Sequence, residues 1–328
     1  MNKKAGYEYI GARKDSILEK ISESPDNSNK KLYEGRLPDP VDILTSIEKL
    51  RNLDLAKISD TAIADLITNY FNIILFNDYV IPAGSLIYRT RFNRNMEPFS
   101  SVKKIYVPPA EKIAKYGRAN KTGERVFYGS VNCNVALYEV LQNYRRDNIK
   151  KDKRLFFTIG VWKVLSDLHV SNIIDNTKIY NIRPDIFQAY QNEQKSALSG
   201  VLKGTKSLKT AISESLIFKY FAEEFTKERT KKDPDYKVSN FYISCLREMN
   251  QTISQKFEDE KFDGINYPSV AMKYKGDNQA IFIESADNKL KLEDVLLIQC
   301  RNIDFKDIDF KVEILGKAKS ISNDKIVW

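Results

Sequence analysis

The chain has 328 residues, of which 42% are apolar and 30% are charged, and its formal net charge is +9. This length and balance predict a globular protein with one large domain or two smaller ones. Because no apolar run approaches the roughly 18 residues of a membrane-spanning helix, and the start lacks the apolar segment of a secretory signal, we expect a cytoplasmic protein without membrane contact.

The net charge of the chain and its cysteine content limit the classes of function that the sequence supports. A net charge of +9 fits ordinary solubility, a polyanionic partner or a phosphate-bearing small molecule. The lysines are dispersed, and the absence of a long basic stripe with interleaved aromatic residues argues against nucleic acid. Cys133, Cys245 and Cys300 are far apart and His169 is the single histidine, which argues against a zinc site and against Cys–His catalysis. We expect neither a metal nor a bound cofactor.

Residues 1 to about 80 have the apolar spacing of helices and carry no evident chemistry. An amphipathic segment covers residues 16–21, and Pro38 to Pro40 precede a second helix with apolar residues at helical spacing up to Leu50. Asp60 is predicted to cap a third helix. We interpret residues 1–80 as a helical support or interaction domain.

The periodicity changes near Asp78. Residues 85–91 alternate and predict a strand that carries Arg89 and Arg91. Residues 125–128 predict a short strand before a break at Gly129. Asn134 is then predicted to cap a helix that carries one acid, Glu139, beside apolar residues.

The second half of the chain contains both predicted helices and predicted strands. A buried strand is predicted at residues 155–164, and Glu223 and Glu224 are predicted to form a solvated helix face. The other predicted elements are helices at 184–202, 212–227 and 241–257, and strands at 265–268, 278–283, 295–299 and 310–315.

Residues 117–140 form the candidate ligand pocket. Gly117 beside Arg118 lets the backbone and a guanidinium approach an anion together, and Asn120 marks a turn. A strand, a tight break and a helix bearing an acid then follow. Each side chain also has a structural explanation, because a strand arginine can pair with a surface acid, Tyr128 can pack in the core and Glu139 can face solvent.

Six short motifs, in this order, resemble the RES domain family. They are Leu-Ile-Tyr-Arg at 86–89, Gly-Arg-Ala-Asn at 117–120, Val-Phe-Tyr-Gly-Ser at 126–130, Ala-Leu-Tyr-Glu-Val at 136–140, Phe-Asp-Gly-Ile-Asn-Tyr-Pro-Ser at 262–269 and Asn-Gln-Ala-Ile-Phe at 278–282. Two features depart from the family. Ala119 replaces the commoner aromatic residue, and 130 residues separate Glu139 from Ser269, more than in small members.

The resemblance implies an α/β protein of the α+β type. Its RES or ADP-ribosyltransferase-like domain would surround a split, strongly bent sheet over residues 81–328, with a long helical insertion between Glu139 and Ser269. Known members of the family are bacterial toxins that destroy NAD+ by hydrolysis or phosphorolysis and are neutralised by an antitoxin protein.

Carried over to this sequence, the resemblance implies a site with NAD+ as substrate. Its catalytic residues would be Glu139, Arg89 and Tyr128, and its substrate-binding residues would be Arg118, Ser269, Arg91 and Asn120. Two alternatives stay open, namely transfer of ADP-ribose to a macromolecule and a basic binding module without catalysis. The antitoxin and a second copy of the chain are open as partners.

Overall fold

The computed structural model describes residues 37–72, 74–142, 154–174, 208–227, 233–254, 261–304 and 309–328. Its α-helices, numbered in chain order, are α1 Pro40–Arg51, α2 Asp60–Phe71, α3 Val102–Ile105, α4 Cys133–Leu141, α5 Leu208–Phe225, α6 Lys237–Ser254 and α7 Ile283–Lys289. Its β-strands are β1 Asp78–Ile81, β2 Leu86–Asn93, β3 Val126–Gly129, β4 Leu155–Val164, β5 Leu168–Asn172, β6 Gly264–Pro268, β7 Asp277–Phe282, β8 Leu290–Asp304, β9 Asp309–Lys317, β10 Ser320–Ser322 and β11 Lys325–Val327.

The chain divides into two compact units. Residues 1–80 and 170–262 form what we call the helical unit, and residues 81–169 and 263–328 form the sheet unit, so the chain crosses between them within β1 and β5. The domains predicted from the sequence were 1–80 and 81–328. The structure instead groups residues 170–262 with the N-terminal part, because α5 packs on α1, and α6 packs on α2.

In the helical unit, local signals set the starts of α1 and α2. Asp39 caps α1 by accepting a hydrogen bond from the Val41 amide at 3.1 Å, as the Pro-Asp-Pro segment predicts. The cap of α2 is Ser59, whose hydroxyl accepts from the Ala62 amide at 3.1 Å. The prediction of Asp60 as the cap was therefore wrong by one residue.

The longer helices α5 and α6 confirm the segments predicted at 212–227 and 241–257, although both begin four residues earlier. One prediction within α5 was wrong. Glu224 is 3% exposed rather than solvated, and its carboxylate pairs with Lys227 at 2.6 Å. The helices predicted at 16–21 and 184–202 lie outside the described residues. Among the described helices, none has the length and apolarity that crossing a membrane requires.

Two antiparallel sheets dominate the sheet unit. The first has the strand order β2-β4-β8-β9, and the second has the order β6-β7-β3 within this unit. Helix α4 packs on one face of the first sheet, where Leu137, Tyr138 and Leu141 join a core with Phe157 and Ile298. The predicted strand at 155–164 is confirmed as β4.

The two sheets of this unit meet at a single β-bridge among the described residues. Tyr88 of β2 and Ser130, which follows β3, exchange two backbone hydrogen bonds of 2.7 and 3.0 Å. The helices and separate sheets confirm the α+β class. The RES or ADP-ribosyltransferase-like assignment and the strong bend of the sheet stay predictions.

Gly264 is expected to be essential for pairing β6 with β7. A Cβ at this position would lie 2.2 Å from the Ala280 carbonyl oxygen and 2.8 Å from the Ile281 Cα, and both belong to the paired backbone. We expect Gly264→Ala to lower the free energy of unfolding in urea by about 2 kcal/mol or more. Gly316→Ala is the matched control, because its nearest neighbour atom is 4.0 Å away. Equal losses in both variants would contradict this account.

Candidate active site

The turn between β3 and α4 fixes the start of α4. The Asn132 side-chain oxygen caps the helix by accepting from the amides of Asn134, at 2.9 Å, and Val135, at 3.4 Å. The prediction of Asn134 as the cap was wrong by two residues, since Asn134 already lies in the helix. The Ser130 hydroxyl donates to the Asp277 carbonyl at 2.6 Å and accepts from the Asn132 amide at 3.1 Å. These bonds tie the helix start to β7.

Glu139 of α4 lies in a polar cluster with Ser269 and Asn278. Its Oε1 accepts a hydrogen bond from the Ser269 hydroxyl and another from the Asn278 side-chain amide, each at 2.6 Å. Ser269 is fully buried, Asn278 is 7% exposed and Glu139 is half-buried. No described residue donates to the second carboxylate oxygen, Oε2. The cluster therefore holds one oxygen of the acid and leaves the other available to a ligand.

The loop from Ser269 to Gly276 holds the serine in this position. The Ser269 hydroxyl accepts from the Met272 amide at 3.1 Å, and the Ser269 amide donates to the Gly276 carbonyl at 2.7 Å. Gly276 permits a close approach to α4, because a Cβ there would lie 2.3 Å from a methyl group of Val135. Within the loop, Tyr274 has a φ of 66°, a left-handed conformation that costs about 1–2 kcal/mol.

Three arginines, which we call the arginine cluster, lie near the bridge between the sheets. The Arg89 guanidinium is 5.3 Å from the centre of the Phe127 ring, and its Nη1 donates to the Tyr128 carbonyl at 2.6 Å. Arg91 donates to the Tyr106 carbonyl at 2.7 Å. Arg125 completes the cluster and lies close enough to Tyr106 for its charge to oppose the burial that raises the pKa of that phenol.

The arginine cluster has no carboxylate partner among the described residues. The Nε atoms of Arg89, Arg91 and Arg125 are buried without hydrogen bonds. Burial, followed by the charge of Arg91, lowers the pKa of Arg89 to about 9, and burial also lowers the pKa of Arg91. Both remain cationic near pH 7. A buried charge without a counter-ion costs several kcal/mol, so the buried Arg89 would gain from an anion, and the guanidinium fork matches phosphate.

Tyr128 anchors the loop that carries Arg118. Its hydroxyl donates to the Asn120 side-chain oxygen at 2.8 Å and accepts from the Ala119 amide at 2.9 Å. Gly117 leaves room for this contact, because a Cβ there would lie 2.4 Å from the same Asn120 oxygen. The hydroxyl therefore holds the 117–120 loop, a contact that the sequence did not predict.

The register of β3 and β7 shows on which face of β3 the Glu139 cluster and the arginine cluster lie. Tyr128 pairs with Ala280 across β3 and β7, so its side chain lies on the same face as that of Asn278, which precedes Ala280 by two residues in β7. Diagonal neighbours of this kind are about 7–8 Å apart. Phe127 lies on the opposite face, and Arg89 reaches the Tyr128 carbonyl at the strand edge. The acid, through Asn278, therefore lies on the Tyr128 face of β3, whereas the Arg89 guanidinium packs on the Phe127 ring of the opposite face.

The structure groups the predicted site residues in two sets. Glu139 and Ser269 are hydrogen-bonded, and Arg89, Tyr128 and Asn120 are linked by hydrogen bonds, with Arg91 beside Arg89. Asn278 and Arg125 were not predicted. A usable signal existed for Asn278, since an Asn-Gln pair within a buried strand needs hydrogen-bond partners. Within the described ranges, no three His, Cys, Asp or Glu residues form a group that could hold a metal ion.

We expect Tyr128→Phe to raise the KM for the substrate of this site about 5- to 10-fold with a smaller effect on kcat. The variant keeps the ring but removes the hydroxyl, so the 117–120 loop loses two hydrogen bonds, each contributing about 1 kcal/mol. Steady-state kinetics would measure the effect. Tyr70→Phe, on helix α2, is the matched control and should leave both constants unchanged. A loss confined to kcat would contradict the role as a loop anchor.

No protein-family model and no curated protein matches this chain. Among solved structures, it is similar to a chain of the MbcT–MbcA toxin–antitoxin complex of M. tuberculosis, with 9% sequence identity and a TM-score of 0.34. The match covers 70% of this chain and 91% of the other. At this level of similarity, the match carries no argument about function.

Proposed function

We propose that this protein degrades NAD+ by breaking the bond between nicotinamide and ribose. The observation that carries the proposal is an acid held through one oxygen by Ser269 and Asn278, in a unit whose arginine cluster has no carboxylate partner among the described residues. NAD+ has matching chemistry, because it joins a pyrophosphate to a ribose that bears a cationic ring. The order of the six motifs supports the same reading.

The reaction would use the charge of Glu139. When the C–N bond breaks, its electron pair leaves with nicotinamide, which departs as a neutral pyridine and needs no general acid. Positive charge develops on the ribose carbon and its ring oxygen, as in glycoside hydrolysis. A carboxylate fixed by Ser269 and Asn278 would stabilise this charge without rearranging during the reaction. Water would complete the hydrolysis by bonding to the ribose carbon and losing a proton, and phosphate would give the phosphorylated sugar instead.

The arginines would hold the rest of the substrate. Arg89, Arg91 and Arg125 would bind the pyrophosphate oxygens, and Arg118 would approach from the loop anchored by Tyr128. Holding the pyrophosphate positions the ribose carbon against the acid, and such positioning is a large part of enzymatic rate enhancement. No step of this scheme requires a metal ion or a bound cofactor.

The deciding experiment incubates the purified full chain with NAD+, with and without phosphate, and separates the products. Nicotinamide with ADP-ribose would assign hydrolysis, and nicotinamide with a phosphorylated ADP-ribose would assign phosphorolysis. Label from NAD+ that remains on a macromolecule would assign ADP-ribose transfer. If NAD+ stays intact in every condition, the enzymatic proposal fails, and binding to nucleic acid that weakens with rising salt would favour a basic binding module.

An enzyme that consumes NAD+ without restraint would stop growth, so we infer a toxin that is held inactive by an antitoxin protein. Induced expression of the chain alone should arrest bacterial growth and lower the cellular NAD+ level. Expression of Glu139→Gln to the same level is the control and should permit growth. If both proteins arrest growth, the toxicity does not result from NAD+ consumption that depends on Glu139.

A further inference from the structure

Strand β9 forms one edge of the first sheet in the sheet unit. It covers Asp309–Lys317 and pairs with β8 on one side, and no described strand pairs with its other side. Alternate residues of this strand therefore direct backbone N–H and C=O groups away from the sheet. The opposite edge strand, β2, differs, because its Tyr88 is bridged to Ser130. With nine residues and no proline, β9 can pair with a further strand along its whole length.

One face of β9 extends the apolar core beyond the side chains that cover it. Val312 and Ile314 lie opposite Cys300 and Ile298 of β8, which are buried in the core on which α4 packs. Opposite residues of an antiparallel pair share a face, so Val312 and Ile314 lie on the core side of the sheet. They are nevertheless 45% and 64% exposed. Together with Phe310, which shares their face and packs against the same core, they form an apolar stripe along the free edge.

The other face of β9 carries two exposed residues of opposite charge, Lys311 and Glu313. Lys311 lies opposite Arg301 of β8, which is a like-charge pair. The Glu313 carboxylate is 3.8 Å from the Arg301 guanidinium, and both side chains are about half exposed, so this ion pair contributes little. Both charges of β9 can therefore take a partner from outside the sheet.

The order of residues in β9 is complementary to itself. A two-fold axis perpendicular to the sheet places two β9 strands antiparallel and joins like faces. With the axis through Val312, Lys311 of each copy lies opposite Glu313 of the other. On the core face, Phe310 of each copy lies opposite Ile314 of the other. Moving the axis by one residue, to Lys311 or to Glu313, would place like charges opposite each other, which is destabilising. This self-complementarity favours a second copy of the chain as the strand that pairs with β9.

We propose that two copies of this chain form a dimer by antiparallel pairing of their β9 strands, with the two-fold axis at Val312. Each copy uses its free edge in the contact, so association ends at two chains. An interface limited to one strand from each copy is small, and we expect a Kd in the micromolar range. The proposal does not depend on NAD+ degradation, because β9 contains no residue of the candidate active site.

Sedimentation equilibrium of the purified full chain tests the proposal over concentrations that span the micromolar range. We expect the weight-average mass to rise with concentration from the mass of one chain to that of two, and no further. A mass of one chain at every concentration would overturn the proposal. Growth beyond two chains would also overturn it, because a closed two-fold contact leaves no free β9 edge.

Charge reversal assigns the contact to β9 and to one register. Lys311→Glu or Glu313→Lys alone places like charges opposite each other twice in the dimer, so each should raise Kd at least about 10-fold. An equimolar mixture of the two variants restores both pairs of opposite charge and should dimerise about as tightly as the wild type. Lys291→Glu is the matched control, because Lys291 is an exposed lysine of β8 outside the segment that pairs with β9, and it should leave Kd unchanged. Single variants that dimerise like the wild type, or a mixture that stays monomeric, would overturn the proposal.

Discussion

Replacing Glu139 with glutamine is expected to lower the rate of NAD+ consumption at least about 100-fold, the size of effect seen when one preorganised electrostatic group is lost. The glutamine oxygen can still accept from Ser269 and Asn278, so the hydrogen bonds that hold the side chain are retained. What disappears is the negative charge at the oxygen to which no described residue donates a hydrogen bond. The change therefore removes the charge and keeps the geometry.

Measurements of kcat and Tm separate this effect from unfolding. We expect kcat to fall while Tm stays within a few degrees of the wild-type value. Glu111→Gln is the matched control, because Glu111 is an exposed acid of the same unit, and its activity should equal that of the wild type. Near wild-type turnover by Glu139→Gln would remove this residue from its proposed role. A large fall in Tm would show instead that the charge maintains the fold.

Local signals explain the parts of the fold that the sequence predicted. The alternating and apolar run of β4 and the Pro-Asp-Pro start of α1 depend on neighbouring residues alone, and both predictions are confirmed. The two wrong caps show the limit of such signals. Ser59 precedes Asp60, and Asn132 precedes Asn134, so two capping residues compete at each helix start. Backbone conformation, which the sequence does not specify, decides which side chain reaches the free amides.

The burial of Glu224 could have been predicted. Ile217, Tyr220 and Phe221 mark the buried stripe of α5, and Glu224 continues it at the spacing of seven residues from Ile217. The two adjacent acids suggested a single solvated face, although neighbouring residues of a helix point about 100° apart. Glu223 is therefore on the outer side, where it pairs with Arg51, while Glu224 enters the core beside Lys227.

The candidate site depends on contacts between distant segments, which periodicity does not report. The order of the family motifs suggested that Glu139 and Ser269 belong to one site, and the structure places them in hydrogen-bond contact. Asn278 joins them because the register of β6 and β7 sets its face. Arg125 was missed because a single arginine before a strand has no distinctive pattern. Its significance is visible only together with Arg89 and Arg91, since none of the three has an acidic partner among the described residues.

The arginine cluster predicts opposite effects of one substitution on stability and binding. Arg125→Gln should raise the KM for NAD+ at least about 10-fold, a loss of about 1.4 kcal/mol, because one guanidinium contact to the pyrophosphate disappears. The same change should raise the free energy of unfolding without ligand by up to about 1 kcal/mol, because it removes a half-buried side chain whose Nε is buried without a hydrogen bond and that has no carboxylate partner among the described residues. Sites built for ligands commonly reduce stability in this way.

Urea unfolding and steady-state kinetics on the same preparations test both effects. Pyrophosphate supplies an independent measure, since it should raise the Tm of the wild type more than that of Arg125→Gln. Arg94→Gln is the matched control, because Arg94 is an exposed arginine that follows β2, and both quantities should remain at wild-type values. If Arg125→Gln lowers stability and leaves KM and the pyrophosphate response unchanged, Arg125 maintains the fold and is not part of the anion-binding site. A stability gain together with weaker pyrophosphate binding would identify the missing counter-ion of the arginine cluster as the phosphate of its ligand.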